Sequence, residues 1–454
     1  MRPTTTSEVS TAPAAVREPV VAAVTGPPFN MASAETSRWA AEASSDQPEE
    51  STNETTFELF VPGRVCLFGE HSDWAGAQRR LNSKLRPGAC IVAGTDHGIT
   101  ATVSTHTSLK LHSVTHDGEE RSLEIPMSSK ELFALAARGE FFSYACGVAA
   151  QVAISHSVGG LSIDFHTATL PHGKGLSSSA AVCVLVARAF NRAYGMQLTT
   201  RGEMELAYQG EISTPSRCGR MDQCVAFGPG AASRMSFDAD RVDAGPLVVG
   251  GEIHMLLVDL GAGKDTTTIL HALGKAFPFP ETEQACQLAN LLGEYNLTVT
   301  RRAEAALAAG DAAELGRLMT EAQIEFDKYA RPMCPSQLTS PQLHALLEHK
   351  PLAQFIFGGK GVGSQGDGTA QLVCRSAEAA TEAADLIEKT FPRMTCMRLT
   401  LGGDSVAAGT DDSALASPPL VTTDERGAAA LARAYLDLSV QEQLEFKRLA
   451  GLLQ

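Results

Sequence analysis

From Phe57 onward, short apolar runs alternate with turn residues, and FELFVPGRVCLFG, ACIVAGT, GITATVST, LKLHSV and GLSIDFHTATL predict strands. Apolar positions then take helical spacing from Ser178 to about Tyr194 and again over 201–211. The run EIHMLLVDL, residues 252–260, reads as a buried strand. An Ala/Leu/Glu-rich stretch at 283–328 is expected to be helical and leads through Pro332 and Pro335 to another helix near 341–349. Strands return at AQFIFG and TAQLVC, a helix covers 376–391, and CMRLTLGG supplies a last strand. Runs of strands followed by mixed strands and helices favour an α+β fold over a doubly wound parallel sheet. No internal repeat is present.

The flanks follow neither period. Residues 1–55 are rich in Ser, Thr, Ala, Pro and Glu and cannot bury enough apolar surface to offset ordering, so they read as a disordered extension. The alternative is a transit peptide, and the acidic Glu8, Glu18, Glu35, Glu42 and Asp46 count against it. Residues 404–421 read as a linker before a helical tail, so 404–454 stand outside the folded part.

The 454 residues, 44% hydrophobic, suffice for a large core in roughly two to three domains. A net charge of −15 argues against a nucleic-acid-binding or anionic-membrane surface, each of which needs a basic stripe. The ten cysteines are scattered without a C-x-x-C pair, which favours reduced thiols and a cytoplasmic location. No apolar run approaches the ~18 residues that span a bilayer. The N-x-[ST] triplets at Asn53 and Asn296 carry little weight in such a setting.

Chemistry concentrates in four places. In PHGKGLSSSA, Pro171 to Ala180, glycines and serines sit between a strand and a helix, where successive N–H groups converge on the helix's positive end and suit an anion. The bland alternative is a turn with an N-cap. A Walker A loop cannot be laid over it, and GAGKD at 261–265 fails the same test because Asp265 follows the lysine. In PGRVCLFGEHSDWAG, Arg64 is a fixed cation, while Glu70, His71 and Asp73 crowd groups able to hold several hydroxyls. In YQGEISTPSRCGRMDQCVAFG, Glu211 and Asp222 are two carboxylates of the kind phosphoryl transfer uses, one for Mg²⁺ and one for the substrate proton. Each of these acids also reads as an ordinary surface group or cap. GGKGVGSQGDGTAQ, 358–371, is a glycine-rich loop or a plain hairpin turn.

PHGKGLSSSA resembles the second motif of the GHMP kinases (galactokinase, homoserine kinase, mevalonate kinase, phosphomevalonate kinase), P-x-G-x-G-L-[GS]-S-S-A, and the other motifs fall in order along roughly residues 57–402. The first is similar to the galactokinase signature P-G-R-V-N-L-I-G-E-H-T-D-Y, and CGRMDQ resembles CGIMDQ. The resemblance implies a GHMP kinase fold with a ribosomal-protein-S5-like β/α half and a ferredoxin-like α+β half. These are expected at 56–245, holding ATP, and at 246–403. It implies ATP on Gly173, Lys174, Gly175, Leu176, Ser177, Ser178, Ser179 and Ala180, and Mg²⁺ on Ser179 and Glu211. Asp222 and Arg64 would be catalytic, and Glu70, His71 and Asp73 would bind sugar hydroxyls. Asp73 points to a sugar, because mevalonate kinases carry an apolar residue there.

The function so implied is ATP-dependent phosphorylation of a sugar hydroxyl, of anomeric type, by a monomer or homodimer with small-molecule partners only. Alternatives are a sugar-acid or sugar-phosphate kinase, a mevalonate-type kinase, or a non-catalytic ATP and sugar sensor. Several positions depart from the galactokinase pattern. Cys66 replaces Asn, Trp74 replaces Tyr, and Gln365 and Asp367 interrupt the last glycine loop. The segment after Trp74 carries Arg79, Arg80, Lys84 and Arg86, which either read an anionic group on the sugar or form a solvated basic loop.

Overall fold

A computed structural model describes residues 56–402 apart from 116–117, 171–175 and 217; residues 1–55 and 403–454, which include the expected linker and tail at 404–454, lie outside the described residues. Strand β1 (Phe57–Phe68) is followed by the short helix α1 (Ser72–Ala77) and by β2 (Gly88–His106), in which ACIVAGT and GITATVST run together as one strand. The polar junction Asp96-His97 does not break it, because β1 pairs antiparallel with β2 on both sides and the register shifts opposite Thr95–His97. That irregularity falls at Pro62–Arg64 and so aims the Arg64 side chain locally.

Next come β3 (Ser108–Val114), β4 (Glu120–Pro126), α2 (Ser129–Ala136), α3 (Ser143–Ser155) and β5 (Gly160–Ala168). Helix α3 escapes a periodicity reading because SYACGVAAQVAIS is small or apolar on every face and is buried nearly all round. Helices α4 (Ser178–Tyr194) and α5 (Thr200–Ile212) follow, close to their sequence-predicted bounds. Gly195 ends α4 in the left-handed region, and the Thr199 hydroxyl caps α5 by accepting from Gly202 N–H. A 3₁₀ turn, Asp222–Phe227, leads to β6 (Ala232–Asp238) and β7 (Arg241–Pro246).

These strands form a sheet in the order β4-β3-β5-β2-β6-β7, with β1 on the other edge of β2; only β3 and β5 run parallel.

Then follow β8 (Ile253–Asp259), α6 (Thr266–Gly274), α7 (Glu283–Asn290), a π turn Leu291–Tyr295, α8 (Asn296–Ala309) and α9 (Ala312–Tyr329). The long helical run thus divides at Gly310, which takes φ 67°. The Asp311 carboxylate starts the next helix by accepting from Glu314 N–H. After α10 (Pro335–Leu338) and α11 (Pro341–Leu347) come β9 (Ile356–Gly361), β10 (Thr369–Cys374), α12 (Ala377–Thr390) and β11 (Thr395–Leu401). The second sheet is antiparallel, in the order β11-β8-β10-β9.

The sheets divide between Pro246 and Ile253, yet one apolar core crosses from Val61, Ile91 and Val184 to Met255, Leu257 and Leu401. Buried Gln371 of β10 also donates to the Cys66 carbonyl at 2.8 Å, tying the second sheet to β1 beside the candidate site. All ten cysteines are free thiols. Among the described residues, no helix is long and apolar enough to cross a membrane.

Candidate functional site

The end of β1 and the start of α4 meet through the backbone. Arg64 N–H donates to the Leu176 carbonyl at 3.0 Å, so the first motif is fixed against the first described residue of the second. Gly63 makes this approach possible, since a Cβ there would stand 2.7 Å from the Leu176 oxygen. Gly173, Lys174 and Gly175 lie outside the described residues. Ser177 caps α4 in the left-handed region (φ 59°) without a side-chain bond of its own, and Ser178, Ser179 and Ala180 form the first turn, which holds no acid. The positive end of α4 is thus offset by no acid of its own first turn, only by Glu211 reaching it from α5.

Ser179 hydrogen-bonds Glu211, which is fully buried near the end of α5. Burial raises the Glu211 carboxyl above its usual range, and Asp222 adds to this, while bonds from Ser179 and Gln223 pull it down. Gln223 Nε2 donates to Glu211 Oε2 at 2.9 Å. A raised carboxyl beside a second acid and a hydroxyl is a donor set that a divalent cation would suit, with nucleotide phosphates completing the shell. Among the described residues, no group of three or more His, Cys, Asp or Glu side chains makes a cation site by itself.

Asp222 opens the 3₁₀ turn and forms an ion pair with Arg64. Burial is the largest influence and opposes the Arg64 charge, but Asp222, Cys224 and Cys66 together hold the guanidinium above its ordinary value. Asp73 lies next to this pair. Its carboxyl is raised by burial and by Asp222, and its Oδ2 occupies the space that a Cβ at Gly219 would take. The glycine of CGRMDQ is thus required by Asp73, a link between motifs that neither reveals alone.

Glu70 and His71 sit at the tight turn between β1 and α1, where Gly69 (φ +91°) leaves no room for a Cβ against Ala89 and Cys90. Glu70 pairs with Lys360 of β9, and both side chains are buried. Burial pushes the Glu70 carboxyl up, and Lys360 draws it part of the way back. His71 accepts at Nδ1 from Trp74 Nε1 at 3.1 Å and stacks on Phe326. Burial, with Lys264 beside it, lowers His71 to about 4, so the ring is neutral at pH 7. With Nδ1 accepting, the ring proton is assigned to Nε2. Trp74, where the galactokinase signature has Tyr, therefore sets the His71 tautomer.

The loop of β9 and β10 closes over this side. Asp367 accepts from Gln342 N–H and Leu343 N–H at 2.9 and 3.0 Å, so one of its two interruptions is a cap for α11. Gln365 is buried in the left-handed region at φ 66°. A cavity of about 30 Å³ adjoins the Glu70–Lys360 pair and is lined by Gln365, Tyr295, Asn296 and Phe326. Asn296, the residue of a sequence triplet of little promise, is buried and donates to the Ser72 hydroxyl.

The basic loop turns away. Arg79 binds Asp238 at 2.5 Å, Arg80 pairs with Asp240 at 3.7 Å, Arg86 pairs with Glu294 at 2.8 Å, and Lys84 is exposed. Of its two readings, the solvated loop holds. Beside Arg64, the cations near Glu70 and His71 are Lys264 and Lys360, which sequence reasoning missed as individual residues. The signal was weak, a single lysine in each of two glycine-containing stretches.

Residues 143–230, which carry Ser179, Glu211 and Asp222, match the family described as GHMP kinases N terminal domain. That segment is similar to a GHMP kinase N-terminal domain, and the fold around it is of the GHMP kinase type. Solved structures agree on the fold. The galactokinase of Lactococcus lactis, complexed with galactose, is 16% identical and covers 77% of this chain and 94% of its own, with a TM-score of 0.58. The mevalonate kinase of L. major, in complex with R-mevalonate, is 16% identical over 77% of this chain and 97% of its own, at TM-score 0.57. A homoserine kinase from Cytophaga hutchinsonii, 16% identical, covers 79% and 97% at TM-score 0.53. The GHMP kinase fold thus spans both sheets, as the order of the motifs predicts.

Proposed function

We propose that this chain is an ATP-dependent kinase that transfers the γ-phosphoryl group to a hydroxyl of a sugar, the anomeric one by likeness to galactokinase. The observation that supports this best is the Arg64–Asp222 pair, anchored through the Arg64 N–H to the residue just before α4. It sets a proton acceptor and a fixed cation within one step of a helix N-terminus suited to phosphates.

In this reading the loop Gly173–Ala180 holds the triphosphate, and Ser179 and Glu211 would hold Mg²⁺. When bound, that ion would supply charge neutralisation on the phosphates. Asp222 receives or orients the proton of the attacking hydroxyl, and Arg64 stabilises negative charge as it develops on that oxygen. Asp73 accepts from an acceptor hydroxyl, while buried His71 braces the Trp74 side of the pocket and Glu70 acts through Lys360. The Asp73 carboxylate favours a polyol acceptor over one that presents an apolar carbon there.

The test is ADP release from purified protein with Mg-ATP and a panel of aldoses, uronic acids, sugar phosphates, mevalonate and homoserine. A strong response to a sugar or sugar derivative is expected. A response to mevalonate or homoserine alone, or silence across the panel with ATP bound, would overturn the assignment.

A further inference from the structure

On the acceptor side, three carboxylates face three cations. Arg64 pairs with Asp222 and Lys360 pairs with Glu70, so these four neutralise one another. What remains for a ligand is Asp73, which can accept from a hydroxyl, and Lys264, which can donate to an anion. Among the described residues Lys264 has no carboxylate partner; its Nζ donates to the Val362 carbonyl at 3.0 Å. The neighbouring Asp265 is committed elsewhere, accepting from Thr268 N–H at 3.0 Å and from its hydroxyl at 2.6 Å.

The fold makes a track for this lysine. A Cβ at Gly368 would stand 2.8 Å from its Cε and 3.1 Å from its Nζ, and one at Gly366 would stand 3.5 Å from its Cβ. Bare backbone at 366 and 368 thus lets the chain lie along the loop and bring its ammonium to the site. The loop is fastened to the start of α6 by Thr266 Oγ1 and Ser364 Oγ, 3.0 Å apart. The charges that Lys264 feels are Glu70, Arg64 and Lys360, all on the acceptor side, and burial among them lowers it to about 8. A half-buried ammonium near the Arg64 and Lys360 cations, hydrogen-bonded to a carbonyl while the nearby Glu70 is already paired, leaves positive charge that an incoming anion would meet.

Resting on the kinase reading above, we propose that the acceptor carries a carboxylate or phosphate group as well as its reacting hydroxyl, and that Lys264 binds that anion. The basic loop at 79–86 does not compete for this role, since its arginines are matched to their own acids.

Binding is measured by calorimetry on the full chain, without turnover, for matched sets of an aldose, its uronic acid and its phosphate ester. ADP release is followed in parallel. One anionic member is expected to bind about 30-fold tighter than its neutral parent, the scale of a charge-assisted hydrogen bond. The responding member tells carboxylate from phosphate. Lys264→Met should collapse that ratio to about 3 or below, and Lys264→Arg should restore most of it.

Equal binding of neutral and anionic acceptors, or failure of every anionic acceptor to bind, would overturn the inference. So would a Lys264→Met loss spread evenly over all acceptors or carried by the KM for ATP. Lys264-dependent anion binding without ADP release would keep the inference and remove the kinase reading. Equal phosphorylation of neutral and charged sugars would do the reverse.

Discussion

In the proposed reading, the donor end and the acceptor end of this site are built in opposite ways. At the donor end, consecutive residues at the start of α4 meet Glu211 and Asp222, all within the span 176–222 and on helices or a turn that pack directly together. At the acceptor end, Glu70 and His71 from one turn meet Lys264 and Lys360 from the second sheet, with 290 residues between the partners of the buried ion pair. The contrast suggests that local motif and reaction type are coupled, while acceptor choice is delegated to side chains brought from far along the chain.

The largest effect should come where the ends join. Asp222→Asn should lower turnover roughly 10³-fold while ATP affinity stays within about 3-fold, because a positioned base contributes on that scale. ADP release and nucleotide titration check this, and turnover near the parent rate would remove Asp222 from the chemistry.

Next, Lys360→Met leaves the Glu70 carboxyl buried without its cation, in surroundings where the two side chains are 2% and 7% exposed. The expected loss is about 3–5 kcal/mol, read as a fall in the urea midpoint, with Lys360→Met/Glu70→Leu recovering most of it. A loss under about 1 kcal/mol would mean that the pair is replaceable and that the acceptor end is not held by it.

Third, acid stability should carry the mark of His71. Its folded value is about 4 against an ordinary 6.5, so the unfolded chain binds the proton first. Stability should therefore fall as pH drops from about 6.5 to 4, by up to about 3 kcal/mol, and His71→Gln should flatten that slope. An unchanged slope in the variant would place the acid sensitivity elsewhere.

The smallest effect belongs to the basic loop. Arg80→Ser and Lys84→Ser should each change stability by less than about 0.5 kcal/mol and leave acceptor KM alone, since Arg80 and its Asp240 partner are largely exposed. A shift in KM for a charged acceptor would return that loop to the site.

What the sequence made legible follows the same divide. Helix α4 and the Arg64–Asp222 pairing could be read because periodicity and motif act over short spans or through a shared signature. Helix α3 could not, because its residues are small or apolar almost throughout and leave no polar side to set its phase. β2 read as two strands because Asp96 and His97 interrupt its apolar run, and only the ladder with β1 shows that they lie within one element. Lys264 and Lys360 were invisible for a different reason. A lysine's role depends on whether a carboxylate faces it, and here that carboxylate is hundreds of residues away or missing.

The same separation sets an order of events during synthesis. A ribosome that has released residues 57–230 has produced every donor-end group, but Glu70 still awaits Lys360, the Cys66 carbonyl awaits Gln371, and Ser72 awaits Asn296. At ~5–20 residues per second, several seconds pass before those partners emerge. The nascent first sheet spends that interval with an uncompensated acid at its edge, and closure of long-range loops then limits the final step. On the proposed reading, competence to recognise an acceptor is thus acquired later in synthesis than the phosphate-binding end.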